Sequence, residues 1–357
     1  MTSGTGATAP ERRRIPGVDG MRGLAILMLI GGHYALRLPV ENAIISGLPS
    51  YSIVVLFVLA GFVVTRGVLE ERDWQGRIRL GRWLVRKGVR TYPTLVAILA
   101  ATTLVQQVLG NNPVPLERYL GFLSLLGNYY YALAQSDTYR HAIGHLWSLM
   151  VGAQFLLVWV LLLAHWPRER TGQLIPGLVA LIIVSSVLRE TLGYIIPVSE
   201  AYVYLSTETR AGELALGALA AVGLHLRPGI SFRGSSGVGM LGLCVVPLVL
   251  AIAFRFPGSY LTQAVCTTLL MVLLVGSEGR RLATLLSSRP LAILSAMSYS
   301  IFSWHLYALE ADRLVAALPT PVRFVTGLII ALIACAAAYL VLEWPVRRWM
   351  RRYPRFT

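Results

Sequence analysis

Residues 15 to 35 read IPGVDGMRGLAILMLIGGHYA, and this stretch decides the fold class. It is an apolar run of helical length that carries Arg22 near its start and His33 eleven residues later. At 3.6 residues per turn, eleven steps return a side chain to within about 20° of its first direction. The rise separates the two by about 16 Å along the axis, so they share a side at different depths. Arg and His are costly in lipid and need a reason to be there. Asp19, three residues before Arg22, is spaced to hold its guanidinium. Interfacial anchoring explains that end as well as chemistry does. His33, read alone, is either a neutral general base or an imidazole satisfied by a backbone carbonyl.

Composition sets the solvent. Of 357 residues 55% are hydrophobic and 14% charged, and the mean hydropathy is +0.63. Values this high belong to chains that live mostly in lipid. A net charge of +15 would point to nucleic acid in a soluble protein. In a membrane chain it marks cytoplasmic loops, and no nucleic-acid partner is expected. Lys87 is the only lysine, which reads as coding bias. Cys244, Cys266 and Cys335 lie in apolar segments without CxxC spacing or a nearby His, so neither a disulfide framework nor a metal site is indicated. Residues 1–14 are polar and basic, with no cleavage site after the apolar run, and read as a disordered cytoplasmic tail before a retained helix.

Working outward, apolar stretches of spanning length recur at 20–38, 51–69, 91–110, 146–164, 174–193, 210–226, 238–255, 259–277, 291–309 and 323–343. The Tyr-rich stretch 120–134 is short, and the charges settle it. Arg12 to Arg14 and the basic connection 66–90 belong inside by the positive-inside rule. If 120–134 does not span, Arg168 and Arg170, Arg227 and Arg233, Arg280, Arg281 and Arg289, and the Arg347–Arg355 tail also fall inside. If it spans, every later loop inverts. The expected fold is therefore an all-α integral membrane protein, a polytopic bundle of about ten transmembrane helices with both termini cytoplasmic. The 110–145 segment folds back onto the bundle. Residues 15–348 form one domain and 349–357 a basic cytoplasmic tail.

Several other polar groups interrupt the apolar pattern. Arg82, Arg86, Lys87 and Arg90 crowd the cytoplasmic entrance of the third span, where they could hold the phosphates of an anionic cofactor or meet lipid headgroups. In HLWSLMVGAQF (145–155), His145 and Ser148 have the spacing of a base and nucleophile but lack an acidic orienter, so helix packing through groups such as Gln154 is the plainer reading. Arg210 and Glu213 in RAGELALG read as a structural ion pair at an outer helix end. Tyr299, Trp304 and His305 in SYSIFSWHLY suit an aromatic belt. EWPVRRW (343–349) reads as a helix ending at Pro345 and anchored by Arg347 and Arg348.

Together these stretches resemble the membrane acyltransferase 3 family of bacterial O-acyltransferases, from about Ile15 to Arg348. The most specific element is Arg-x10-His within a DGxRG helix, met by Asp19, Gly20, Arg22, Gly23 and His33. LFVLAGFVVTR (56–66) resembles the family's FxxSGF motif, with Ala60 at the Ser, and RKGVRTYP (86–93) its RRxxRxxP segment, with Lys87 at an Arg. HLWSL, RAGELxxG, SYSxFxWH and ExPxRR follow in the family's order. One departure stands out: Gly152 and Ala153 replace the pair of glutamates usual after HLWSL.

The resemblance implies an enzyme of the cytoplasmic (inner) membrane that uses acyl-CoA, with acetyl-CoA the expected form, as donor substrate and holds no permanent cofactor. It implies that Arg82, Arg86, Lys87 and Arg90 hold the donor's phosphates, Arg22 handles the donor, and His33 takes the proton of an acceptor hydroxyl. Asp19, His145, Ser148, Arg210, Glu213, Tyr299 and His305 would support the substrates. A direct transfer and an acyl-His relay both fit. The expected acceptor is a cell-surface polysaccharide or lipid-linked sugar, with a glycosylated metabolite such as a macrolide as alternative. The 357 residues hold no hydrolase-like soluble domain, so acylation is expected to be completed within them. A carrier is disfavoured by the lack of paired halves, and a non-catalytic scaffold draws its support from the missing glutamates.

Overall fold

The computed structural model describes residues 15–39, 42–108, 115–133, 143–196, 198–228, 235–254, 256–276 and 281–352. The expected tail 1–14 lies outside them, as does the C-terminal tail beyond Arg352. Among the described residues every element is helical and no strand occurs. Six helices are long and apolar enough to cross a membrane. They coincide with the expected spans at 51–69, 91–110, 146–164, 174–193, 259–277 and 323–343.

The chain opens with α1 (Pro16–Ala35), started by Pro16, whose missing N–H costs nothing there, and by Asp19 in the first turn. α2 (Ala43–Gln75) is capped by Asn42, whose side chain accepts from the N–H groups of Ile44 and Ile45. It ends at Gly76 in the left-handed conformation, with φ 70°. At 33 residues it is about 50 Å long, well beyond a bilayer core. α3 (Leu80–Val108) follows at once, so the basic connection expected over 66–90 is almost wholly helical and turns only at 76–79.

α4 (Leu116–Leu123) and α5 (Gly127–Leu133) are each too short to span, in keeping with a segment that folds back. Their apolar residues Phe122, Tyr131 and Ala132 are buried in the common core. α6 (Trp147–His165) and α7 (Leu174–Tyr194) lead to the short α8 (Glu200–Leu205) and to α9 (Thr207–Leu226). α10 (Ser235–Phe254), α11 (Ser259–Gly276), α12 (Arg281–Leu286) and α13 (Arg289–Ala296) come next. α14 (Ser298–Leu309) and α15 (Thr320–Ala338) follow, and a π turn at Tyr339–Glu343 runs into α16 (Trp344–Arg352).

Two expectations fail here. The span 291–309 is not one helix: it breaks at Met297 into α13 and α14. Pro345 does not stop the last helix either. It is the second residue of α16, where a missing N–H is tolerated, and helix continues to Arg352. The stretches 20–38, 210–226 and 238–255 are helical as α1, α9 and α10, though they are not among the six long apolar helices.

α9 is the buried strut of the bundle. It packs on α2 and α7, and α2 packs on α1. α2 and α9 touch backbone to backbone, because Gly61 faces Leu214 and Gly217 faces Val58. α1 lies against α13, α14 and α12 as well. Both ends of α1 are thereby held by several elements.

Candidate active site

A cavity of about 740 Å³ opens beside the C-terminal half of α1. His33 lines it together with His145, from the turn before α6, and His305, from α14. His305 is fully buried, and its ring lies 5.1 Å from those of His33 and His145, centroid to centroid. The expected aromatic belt is therefore wrong for His305, because α14 turns it inward. His145 Nε2 is 2.9 Å from the carbonyl oxygen of Ser303, and His305 Nδ1 is 2.7 Å from that of Phe302. A carbonyl only accepts, so in the neutral rings these nitrogens carry the hydrogen. His145 Nδ1 and His305 Nε2 are then lone pairs, and both are buried without a partner. His145 thus pairs with the Ser303 carbonyl rather than with Ser148, and no nucleophile–base dyad forms there.

Aromatic rings and carboxylates complete the walls. Tyr131, Trp147, Tyr204, Tyr260 and Phe302 line the cavity with Arg189, Glu190 and Glu200. Flat apolar faces beside acceptor and donor groups are what a sugar ring requires, since it has both a C–H face and a rim of hydroxyls. Behind this wall Arg210 is fully buried within 4.8–5.1 Å of the Tyr204, Tyr260 and Trp147 ring centroids. It donates to Glu213 at 2.6 Å, which is the pair expected from RAGEL. The sequence reading missed Arg189, whose guanidinium lies 3.5 Å over Tyr260 and 3.8 Å from Glu213. A lone Arg inside the apolar run 174–193 was the available signal. Glu208 stands at the start of α9. It accepts from Tyr129 at 2.6 Å and from Tyr202, and that bond pushes the Tyr202 phenol up to about 12.

Gln154 has the packing role expected of it. Its amide nitrogen donates to Asn128 at 2.9 Å, and Asn128 in turn donates to the Leu205 carbonyl at 3.1 Å, which ties α6 to α5 and α8. Two positions before it, Gly152 is half-buried, and a Cβ there would meet no atom within 4 Å. Position 152, where the resemblance leads one to expect a glutamate, has open space around it.

The other end of α1 carries charge. Arg22 pairs with Asp19 at 3.4 Å, and Lys87, Arg90 and Arg347 stand within electrostatic reach of this group. Glu343 accepts from Ser300 at 2.6 Å and from Arg347, and lies 3.9 Å from Arg90. Four cations thus face two carboxylates, and the Arg90 side chain is 49% exposed. Tyr299 is also part of this end, donating to the Thr91 carbonyl at 2.8 Å, so it does not form a belt either. Of the four basic residues of 82–90, the structure brings Lys87 and Arg90 to Arg22. Arg86 is instead 3.8 Å from Glu71, and Arg82 is two helical turns, about 12 Å, from Arg90. Among the described residues no cluster of His, Cys, Asp and Glu could hold a metal ion.

The acyltransferase-domain family model matches residues 15–340, which covers both ends of α1, the cavity and Glu213 behind it. The chain belongs to the acyltransferase 3 family. Among its relatives, the peptidoglycan O-acetyltransferase OatA of Listeria monocytogenes is 22% identical over 96% of this chain and 57% of its own length. The putative peptidoglycan O-acetyltransferase YrhL of Bacillus subtilis is 26% identical over 94% of this chain and 55% of its own length. A putative O-acetyltransferase of Staphylococcus aureus strain COL is 23% identical over 95% of the chain and 58% of its own length. The chain therefore spans a little over half the length of these relatives. No solved structure matches it. Acyltransferase 3 membership accounts for the order of the motifs, and the structure shows what several of them build.

Proposed function

We propose that the protein is a multi-pass membrane O-acyltransferase that moves an acyl group, acetyl by analogy with its relatives' names, from acyl-CoA to a hydroxyl of a cell-envelope carbohydrate. The observation that carries this reading is the pairing of two sites along α1. A histidine-lined, aromatic cavity lies at one end and an unbalanced cluster of cations at the other, about 16 Å away by helical rise. The separation favours Arg22, Lys87, Arg90 and Arg347 as partners of the donor's phosphates on the cytoplasmic side. The long arm of a CoA thioester then brings the acyl carbon to His33. At that distance Arg22 suits the phosphates better than the thioester carbonyl.

In the cavity His33 takes the proton of the acceptor hydroxyl, and the oxygen attacks the thioester carbon. The C–S bond breaks as the C–O bond forms, and the thiolate leaves with the proton that His33 returns. A general base contributes about 10²–10⁴-fold, and holding both substrates in place supplies much of the remainder. The rings and carboxylates of the cavity favour a sugar, and two relatives named for peptidoglycan favour a wall glycan as the acceptor.

The test is transfer of label from acetyl-CoA to a glycan acceptor by the purified full chain. His33→Ala should lower transfer at least about 100-fold with normal folded yield and unchanged donor binding. Near-wild-type transfer by that variant overturns the assignment, and labelled glycan flux without acylation overturns the enzyme reading itself.

A further inference from the structure

Three imidazoles meet in the cavity, and two have their protons committed. His305 gives its Nδ1 hydrogen to the Phe302 carbonyl at 2.7 Å, and His145 gives its Nε2 hydrogen to the Ser303 carbonyl at 2.9 Å. Each therefore offers a single lone pair, at Nε2 and Nδ1 respectively, and both atoms are buried without a partner. Two acceptors cannot satisfy each other, although their rings are 5.1 Å apart. An unmade buried acceptor is a cost that folding alone gives no reason to keep. His33, its ring likewise 5.1 Å from that of His305, has no carbonyl among the described residues that fixes its tautomer.

We propose that His305 is a positioning residue for His33: its Nε2 accepts the ring N–H of His33, which leaves the opposite nitrogen of His33 as a bare lone pair facing the acceptor hydroxyl. The inference rests on the reading of His33 as base and names the group that orients it. The two rings are tilted by 37° and the bond is open in the structure. A turn of the His33 ring closes it, since catalytic hydrogen bonds commonly tighten only when substrates are bound. During transfer the acceptor's proton passes to the cavity-facing nitrogen of His33, and the C–O bond forms as the thioester C–S bond breaks. The imidazolium is stabilised through its N–H to His305, and the cavity-facing proton then leaves with the thiolate. His305 neither gains nor loses a proton over the cycle. Its own orientation comes from the Phe302 carbonyl one helical turn earlier, so α14 acts as the rigid support.

Two substitutions separate the lone pair from the bulk of the ring. His305→Asn keeps a side-chain N–H close to the Nδ1 position and removes the acceptor, whereas His305→Gln places an amide oxygen near the Nε2 position. With the full chain, labelled acetyl-CoA and a glycan acceptor, His305→Asn should lower kcat about 100-fold with both KM values within about threefold, and His305→Gln should recover about tenfold of that loss. Equal kcat in both variants and wild type, or a loss carried by KM alone, overturns the positioning role. His33→Ala is run beside them: if it stays active the base assignment falls, and if only it is inactive the positioning role falls alone. Should neither His305 variant fold, wild-type protein with ¹⁵N in its histidine rings decides by NMR. A His33 ring N–H that donates to Nε2 of His305 upholds the proposal, and a hydrogen on Nε2 of His305 overturns it.

Discussion

Glu213 sits between two guanidiniums that water barely reaches: Arg210 at 2.6 Å and Arg189 at 3.8 Å, with side-chain exposures of 0% and 7%. Removing one member of a buried charged group leaves its partners uncompensated, which costs far more than the pair contributes net. Glu213→Gln should therefore destabilise the protein by about 3–5 kcal/mol, read as thermal unfolding in detergent. The double variant Arg210→Met, Glu213→Gln should regain part of that, because one stranded guanidinium remains instead of two. If the single variant unfolds like wild type, Glu213 is not the counter-charge. Arg210 and Glu213 were legible in the sequence as a pair of opposite charges three residues apart. Their setting was not, because the rings around Arg210 come from Trp147, Tyr204 and Tyr260 on three different elements. His305 was named as a supporting residue through the resemblance, but its place was not legible: SYSIFSWHLY suits an aromatic belt until the break at Met297 sets α14 against α1.

At the scale of elements, α1 is fixed at both ends, at the first of them by glycines that the sequence named without explaining. The glycines of DGMRG are there for packing. A Cβ on Gly20 would overlap the carbonyl of Leu286, and one on Gly23 that of Leu291. Since the obstacle is backbone in both places, Gly20→Ala and Gly23→Ala should each lower stability by about 1–3 kcal/mol. Gly152→Ala, with open space around it, should be neutral or gain up to about 1 kcal/mol from helix propensity. Equal behaviour of the three in a thermal-shift series counts against backbone contact as the role of the motif glycines. At the far end Tyr34, next to His33, donates to Asp312 at 2.5 Å, and Arg323 donates to the same carboxylate at 2.8 Å. The Arg323 and Tyr34 bonds pull the Asp312 carboxyl down from 3.8 to about 2. A lowered folded-state value means the stabilisation is whole above the ordinary carboxylate range and is lost as pH falls through the folded value. The stability gap between wild type and Asp312→Asn should thus be constant from neutral pH to about 4 and shrink toward pH 2. A gap that is unchanged at pH 2 refutes the clamp. No spacing rule could pair Tyr34 with a residue 278 positions away.

Across the whole molecule, the bundle keeps its two polar regions apart. The sequence placed Arg22 and His33 on one face of one helix, and the periodicity that shows this is the strongest signal in the chain. What periodicity could not say is which distant residues join each end. Arg347 reaches the Arg22 end because the last helix passes Pro345 without stopping, and Glu343 reaches it from the π turn just before. Tyr204, Tyr260 and Arg189 reach the His33 end through the packing of α7, α8 and α11. If donor and acceptor meet only at the acyl carbon, the two regions should be kinetically separable. Lys87→Ala and Arg90→Ala should raise the KM for acyl-CoA about tenfold each, by removing phosphate contacts, and leave the acceptor KM within twofold. Tyr260→Ala, which removes both a cavity ring and the support of Arg189, should do the reverse. Because the two ends of α1 are about 16 Å apart and Arg90 and Tyr260 share no partner among the described residues, Arg90→Ala and Tyr260→Ala combined should give the product of their separate effects within about twofold. A strong departure from that product, or a shift of the same KM by both variants, would place the two substrates in one site and remove the division along α1 on which the mechanism depends.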